Sequence, residues 1–245
     1  MKPLLFDLHT HTIASGHAYS TLLENIQCAK DAGLKAYGFS DHTGEMNVMG
    51  RMYFGNFKVI PRRIDDLLIL RGAEVNIVDY DGTIDLAERY CKQLDYVIAS
   101  IHKIPEYVAG SREENTAAVI GAMHNPYVRV IGHPDDGRFP LDPEAIVLAA
   151  KETGVLLELN NASLRTDMSR LNARENITEV LRQCKKHGVR IVVNTDSHFA
   201  LSVGRFELAE RLIADLEFPE ELIANYDMDR LKWIVREEKI AELGI

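Results

Sequence analysis

The stretch Phe6-Asp7-Leu8-His9-Thr10-His11-Thr12-Ile13-Ala14-Ser15-Gly16-His17 decides how the rest of the chain is interpreted. In an extended strand, residues i and i+2 point to the same face, so His9 and His11 are expected side by side. His17 follows a turn-prone segment and can return a third imidazole to the same rim. An H-x-H pattern also arises by accident, or as two hydrogen-bonded histidines on a strand, so the remaining sequence must decide.

Length and composition describe a globular chain with a core of its own. The 245 residues are 46% hydrophobic and 27% charged, with a net charge of −9. This charge argues weakly against nucleic acid as the main partner, because phosphate backbones attract basic clusters. The first residues hold too short an apolar run for a signal peptide, and no segment is long enough to cross a membrane. Three widely spaced cysteines, without a C-x-x-C, fit buried thiols in a reducing cytoplasm.

Short apolar runs alternate with amphipathic helical patterns along the whole chain, which predicts an α/β fold with a parallel sheet. Seven strands indicate a barrel or a strongly curved sheet, and no linker interrupts them, so one domain over residues 1–245 is expected. The predicted strands span residues 4–8, 36–40, 67–75, 96–101, 128–131, 155–160 and 189–194. The predicted helices span residues 21–33, 85–94, 112–124, 142–154, 171–188 and 206–216, with helical stretches at 219–225 and 228–243.

Histidine and acidic residues fall where these strands end. The carboxyl ends of parallel strands meet at one face, so residues far apart in sequence should converge there. Of the nine histidines, His124 and His187 instead come late in predicted helices, as expected for surface or helix C-terminal histidines. The candidate ligands are His9, His11, His17, His42, Glu74, His102, His133, Asp196 and His198.

This candidate set is too large for a single zinc ion, which usually takes four ligands. Imidazole and carboxylate without thiolate suit zinc, manganese or iron better than a structural cysteine site. Two or three ions with a bridging carboxylate fit the set, and Glu74 is the expected bridge because it is interpreted as the only acid ending a central strand.

The charge of such a centre points to an anionic substrate. Three divalent ions bring about +6, and the carboxylates of Glu74 and Asp196 return about −2, which leaves about +4. Closely spaced metals activate water and stabilise both the attacking and the leaving oxygen of a phosphoryl group. Hydrolysis of a phosphate ester is therefore expected. The mechanism that we favour is attack by a metal-activated hydroxide on a small phosphate monoester, without a nucleophilic side chain.

At these positions the chain resembles the PHP (polymerase and histidinol phosphatase) family, and most closely the small stand-alone phosphatases of the YcdX type. The resemblance covers essentially the full chain. It rests on His9-x-His11, Ser40-Asp41-His42, Gly72-x-Glu74, Ile101-His102, Gly132-His133-Pro134, Thr195-Asp196-Ser197-His198, the stretch 15–20 and Leu159-Asn160-Asn161.

The resemblance implies a distorted seven-stranded (β/α) barrel of TIM-like form with a trinuclear, zinc-type centre. Carried over position by position, it implies three ligand groups: His9, His11, Glu74 and Asp196 for one metal; Glu74, His102 and His133 for a second; and His17, His42 and His198 for a third.

Several other residues are candidates on the substrate side. Lys103, Arg138, Arg165 and Arg205 lie in loops after predicted strands, where arginine can bind phosphate oxygens bidentately. Arg165 and Arg205 are favoured, and each of the four is otherwise a solvated surface charge. Asp41 is either a residue that orients a ligand histidine or a turn residue at a strand end. Loops 44–57 and 103–110 can shape or cover the pocket.

Three other functions remain open. A PHP-type 3′–5′ exonuclease would keep the metals and change the substrate, although the acidic balance counts against it. A metal-dependent amidohydrolase also uses H-x-H on its first strand, but the modified lysine common there has no counterpart, and His17, His42 and His198 would be unexplained. A non-catalytic metal-binding regulatory module is the third.

The chain is expected to form no membrane contacts, and a homo-oligomer remains open.

Overall fold

The computed structural model describes residues 2–50 and 52–245, in which parallel strands alternate with helices as predicted. None of the described helices has the length and apolar character needed to span a membrane. The strands are β1 (Phe6–Asp7), β2 (Ala36–Phe39), β3 (Arg63–Ile64), β4 (Leu67–Arg71), β5 (Glu74–Asn76), β6 (Val97–Ser100), β7 (Val128–Ile131), β8 (Leu156–Asn160) and β9 (Ile191–Asn194). The helices are α1 (Leu22–Asp31), α2 (Met52–Gly55), α3 (Glu88–Cys91), α4 (Arg112–Met123), α5 (Pro143–Thr153), α6 (Ala173–His187), α7 (Glu207–Asp215) and α8 (Glu237–Leu243).

Helix α5 shows how local sequence sets the helix ends. The Asp142 side chain caps the first turn by accepting from the Ala145 N–H, and Pro143 occupies the first helical position. Gly154 ends the helix with a left-handed backbone, φ 76°. The sequence prediction for this helix is confirmed.

Other helix predictions are wrong in extent. Residues 85–87 do not join α3, because Asp85 instead pairs with Asn76 of β5 through both backbone and side chain. The predicted stretches 219–225 and 228–243 form 3₁₀ turns at 220–222, 224–226 and 228–233, followed by α8. Leu231 in the last of these 3₁₀ turns, and Ile234 and Val235 directly after it, are buried together against the strands.

The strands form two sheets. One has the order β1-β2-β4-β3, in which only β3 is antiparallel, and the other is parallel with the order β5-β6-β7-β8-β9. The prediction of one strand over 67–75 is wrong: the chain breaks at Gly72-Ala73, and β4 and β5 belong to different sheets. Isolated bridges, Thr10 with Ser197 and His42 with Glu74, link the sheet borders. Continuous strand pairing does not close the described residues into a barrel.

Both sheets nevertheless face one inner apolar cluster. Alternate residues of strands from either sheet contribute to it, and the C-terminal segment covers its lower end. Its members in the strands or directly next to them are Phe6, Leu8, Ala36, Leu68, Leu70, Tyr96, Ile98, Val130, Leu156 and Val192. The residues between them pack outward under the helices in a second, larger cluster. The inner space above the apolar layer, at the carboxyl ends of the strands, is left for polar side chains.

Candidate metal centre

The polar layer above the inner cluster is built from strand ends. His9 and His11 follow β1, His42 follows β2, and His102 and His133 follow β6 and β7. Asp196 and His198 follow β9, and Glu74 begins β5 rather than ending a strand. The break before β5 therefore brings Glu74 to this rim beside His42, its bridge partner.

Glu74 lies at the middle of the site with its carboxylate fully buried. Five imidazoles face its two oxygens. Oε2 lies 3.1 Å from His9 Nε2, 3.5 Å from His11 Nε2 and 2.9 Å from His42 Nδ1, and Oε1 lies 3.2 Å from His102 Nε2 and 2.9 Å from His133 Nε2.

Several of these buried atoms have no hydrogen-bond partner. They are His9 Nε2, His11 Nε2, His42 Nδ1 and Glu74 Oε2. Leaving such atoms unpaired in the interior costs free energy, so converging orphan atoms point to a missing ligand. A divalent cation among them would satisfy all four.

The spacing of four ligand atoms fits a tetrahedral zinc ion. Asp196 Oδ1 lies 3.6 Å from His9 Nε2 and 3.2 Å from His11 Nε2, alongside the 3.1 and 3.5 Å separations to Glu74 Oε2. Ligand atoms about 2.0–2.1 Å from a tetrahedral zinc ion lie about 3.3 Å from one another. The ligand atoms of His9, His11 and Asp196 all lie within 4.8 Å of one another, close enough to hold one metal ion. The same is true of His42, Glu74 and His102.

Two further imidazoles, those of His17 and His198, lie beside His42 at the outer side of this cluster. His17 Nε2 and His198 Nε2 are 2.9 Å apart, and the His42 ring lies 5.1 Å from that of His17. Gly16 makes the approach of His17 feasible: its backbone is left-handed, φ 75°, and a Cβ there would lie 2.9 Å from Val48 Cγ1. The ligand atoms of His11, His42 and His198 also lie within 4.8 Å of one another and form a third possible metal-binding group.

Five of the seven histidine candidates are held by a hydrogen bond through Nδ1, a kind of contact that fixes imidazole orientation in metal sites. The His11 Nδ1 contacts Ser15 Oγ at 3.0 Å, and His102 Nδ1 contacts Asn76 Oδ1 at 2.7 Å. His17 Nδ1 and His198 Nδ1 lie 2.9 and 3.0 Å from backbone carbonyls.

Backbone strain also concentrates here. His133 and Asp196 both have positive φ angles, 29° and 54°, a conformation that non-glycine residues adopt at a cost. Such strain persists where surrounding structure enforces it, commonly at functional sites.

Glu158 is a buried acid that sequence reasoning missed. Its Oε1 lies 2.8 Å from His9 Nδ1, and its Oε2 accepts from the His133 N–H at 2.8 Å. It therefore orients two ligand candidates, and Glu74 is not the only acid on a central strand. The available signal was Leu156-Leu157-Glu158-Leu159-Asn160, where Glu158 and Asn160 alternate with apolar residues and so share the inner face.

Arg170 is the second residue missed. It donates to Asp196 Oδ2 at 2.7 Å and to Ser163 Oγ at 2.7 Å, and its side chain is only 12% exposed. The Asp196 oxygen that faces the histidines is the other one, Oδ1. Arg170 therefore fixes the direction of the Asp196 carboxylate. Its position in the loop after β8, beside the candidate Arg165, was the only sequence signal.

The pKa shifts of Glu74 and His11 favour the protonation states that metal ligands need. Burial opposes ionisation of Glu74, but neighbouring His9, His102 and His42 hold its pKa well below the usual value. Burial, reinforced by His198 and His42, holds the pKa of His11 well below its usual value. Metal ligands must be ionised carboxylates and neutral imidazoles, and both residues are in that state at pH 7.

His9 differs from the other histidines. Burial alone would lower its pKa, but the carboxylates of Glu158, Glu74 and Asp196 outweigh that effect and raise the pKa well above the usual value. Without a cation, His9 thus keeps a proton that partly neutralises three acids. A bound divalent ion would replace that proton.

Asp41 lies outside the ligand cluster. It is fully buried and accepts from Thr12 N at 2.6 Å, Ser15 Oγ at 2.7 Å and Tyr53. Since Ser15 Oγ in turn contacts His11, Asp41 acts on a ligand candidate through Ser15.

Arg165 and Arg205 line one cavity of about 420 Å³ together with Asp196, His198 and Phe199. Their side chains are 49% and 67% exposed. Lys103 is exposed, and Arg138 is held by Asp136, with Nε 2.8 Å from Oδ2. Of the four basic candidates, the structure thus places Arg165 and Arg205 in a cavity that borders the cluster.

The two remaining histidines lie elsewhere. His124 is exposed after α4, and His187 ends α6 beside Glu144, with 3.0 Å between Nε2 and Oε1. Neither contacts the ligand cluster.

Comparison with known proteins places this chain in a family. A family model described as the PHP domain matches residues 7–136. The chain is 46% identical over 232 residues to a probable phosphatase of Clostridium novyi (strain NT), which covers 94% of this chain and 93% of that protein. The chain belongs to the PHP family. This PHP protein is also 43% identical over 237 residues to a probable phosphatase of Thermoanaerobacter pseudethanolicus, which covers 96% of each.

A solved structure shares the fold of this PHP protein. It is the crystal structure of histidinol phosphate phosphatase from Lactococcus lactis subsp. lactis, complexed with zinc, L-histidinol and phosphate. The TM-score is 0.60 and the identity 19%, over 96% of this chain and 99% of that chain. At this identity the likeness concerns the fold.

Proposed function

We propose that this PHP protein is a metal-dependent phosphatase that hydrolyses a small phosphate monoester. The observation that carries the proposal is the buried Glu74 carboxylate, which five imidazoles face and on which the unpartnered nitrogens of His9, His11 and His42 converge. Nine ligand-type side chains from strands throughout the chain meet at one rim. The similarity to proteins named probable phosphatases supports the same reaction.

We assign three divalent ions, most simply zinc, with manganese or iron as alternatives of similar ligand preference. The first would be held by His9, His11, Glu74 and Asp196. The second would be held by Glu74, His102 and His133, and the third by His17, His42 and His198. Bound there, divalent ions supply activation of water and stabilisation of charge on a phosphoryl group.

The protein's own residues position these ligands and the substrate. Ser15, backed by Asp41, orients His11, and Glu158 orients His9. Arg170 directs Asp196. Arg165 and Arg205 bind the phosphorylated substrate from the cavity beside His198. No side chain is required as a nucleophile.

Three further proposals concern the barrel, the number of domains and the location of the protein. We infer that the two sheets act together as a distorted seven-stranded barrel, in which β4 and β5 count as one interrupted strand. The shared inner cluster supports this assignment. We assign residues 1–245 to one domain and retain the cytoplasm as the proposed location, since the three free cysteines are at least partly buried.

The variant Glu74→Gln tests the proposal. It keeps the size of the side chain but removes the charge that several imidazoles share, so bound metal and phosphate release should fall together. We expect at least about a 100-fold loss of kcat/KM for phenyl phosphate, since even residues behind the ligands are worth about 10–100-fold.

Glu152→Gln, at an exposed position of α5, is the matched control and should keep metal and activity. A folded Glu74→Gln protein with the metal content and activity of the wild type would contradict the proposal. Release of nucleotides from single-stranded DNA, without phosphate release from phenyl phosphate, would instead favour the exonuclease.

A further inference from the structure

Two cavities of different charge flank the ligand cluster. The first, of about 420 Å³, is bounded by the ligands Asp196 and His198, with Arg165 and Arg205 in its wall. The second, of about 630 Å³, lies beside Asn76, which contacts His102, and its described lining includes Glu45, Asp85 and Glu106. A leaving group that extends from the cluster must enter one of them or solvent.

In the part of the chain that the structure describes, the arginines of the first cavity form no ion pair with the ligand cluster. Among the described residues, the ion pairs of Arg165 and Arg205 are with Asp167 at 2.7 Å and Glu207 at 3.9 Å, each two residues away. The guanidinium that reaches a ligand is that of Arg170, at 2.7 Å from Asp196. Arg170 thus supports Asp196 from behind, and Arg165 and Arg205 are the arginines in the wall of the cavity beside a phosphoryl group at the ligand cluster.

Each outer arginine keeps donors for another anion. Arg165 uses Nε and Nη2 on Asp167, which leaves Nη1, and the 3.9 Å separation of Arg205 from Glu207 is longer than a hydrogen bond. A half-exposed ring, Phe199, and Met168 give the same cavity an apolar wall. The lining thus combines apolar surface with two guanidiniums at a distance from the reacting phosphate.

We propose that the Arg165–Arg205 cavity receives the leaving group, and that the preferred substrates are phosphate monoesters whose leaving group carries a second anionic group. This inference rests on the proposed phosphatase function. The second group is a carboxylate or another phosphoryl group, since arginine binds both. The carboxylate-lined cavity would repel the same group, which fixes the direction in which the substrate lies.

Matched aryl phosphates test the inference. The probes are 4-carboxyphenyl phosphate and 4-carbamoylphenyl phosphate, which have similar size and differ in charge. We expect wild-type kcat/KM to favour the carboxylate about three- to tenfold, the range for two partly exposed charge pairs. The preference should shrink as salt rises, because exposed pairs are screened. A 4-phosphonophenyl phosphate probe separates the two sources of the second anion.

The arginine variants supply the decisive comparison. In the double variant Arg165→Gln/Arg205→Gln the ratio of the two kcat/KM values should fall to about 1, and Arg165→Lys/Arg205→Lys should restore part of it. Arg182→Gln, at an exposed site on α6, should keep the wild-type ratio. Calorimetric titration with the non-hydrolysable 4-carboxybenzylphosphonate and its carboxamide should give the same preference in affinity.

The outcomes separate the two proposals. If none of the probes releases phosphate, the phosphatase function itself fails. If both probes are hydrolysed with equal kcat/KM, or if the double variant slows both by the same factor, the arginines serve the reacting phosphate or solvent and the inference is overturned.

Discussion

At the scale of single residues, the ligand candidates were accessible from sequence because their pattern is geometric. A histidine or acid directly after a parallel strand must reach the common rim, whatever the details of packing. Arg170 and Glu158 were not accessible in that way. Glu158 lies inside a strand rather than after it, and Arg170 reaches Asp196 from a loop whose path the sequence does not specify.

Replacement of Arg170 should weaken metal binding without touching a ligand. Arg170→Gln removes the buried charge that holds Asp196 Oδ2, so we expect about a 10–100-fold loss of zinc affinity in a competition titration. The metal-free protein should also lose about 3 kcal/mol of unfolding free energy, because Asp196 stays buried with less compensation. Arg174→Gln, an exposed neighbour paired with Asp215, is the control. Unchanged zinc affinity in Arg170→Gln would show that Asp196 needs no such support.

At the scale of elements, the interruption between β4 and β5 is the feature that the sequence prediction missed. Apolar periodicity runs through residues 67–75 and favours one strand, but Gly72 approaches the Tyr96 ring too closely for a side chain. Tyr96 is buried, and its hydroxyl donates to the Leu8 carbonyl at 2.6 Å. This contact ties the strand break to the residue before His9. Tertiary packing therefore decided the break, which a local pattern cannot show.

Gly72→Ala should destabilise the protein through this contact. The added Cβ would lie 2.3 Å from Tyr96 Cζ, so the ring must move and loosen its hydrogen bond to Leu8. We expect a loss of about 1–3 kcal/mol of unfolding free energy in urea, as for other overpacked sites. Gly55→Ala, where the nearest atom is Tyr90 Cε1 at 3.4 Å, should show no comparable loss. Equal stability of both variants would mean that Tyr96 has room to move.

At the scale of the whole molecule, the alternation of strands and helices was predictable and the assembly of the sheets was not. Seven regular segments indicated a barrel or a curved sheet, and the structure has a four-stranded and a five-stranded sheet that share one inner cluster. The short strand β3 and the turns after Pro219 follow from packing at the sheet edge and beneath the inner cluster. The predicted convergence of the ligand candidates does not depend on these details, because the carboxyl ends of the parallel strands still lie at the same rim.

The most direct test of the central claim is to measure bound metal and phosphate release on the same samples. Metal content and hydrolysis of phenyl phosphate are determined for the purified protein, after removal of metal by a chelator, and after zinc is returned. We predict about three ions per chain, loss of activity with the metal, and recovery of both on zinc addition. A protein that binds no metal, or one whose phosphate release survives complete metal removal, would contradict the account.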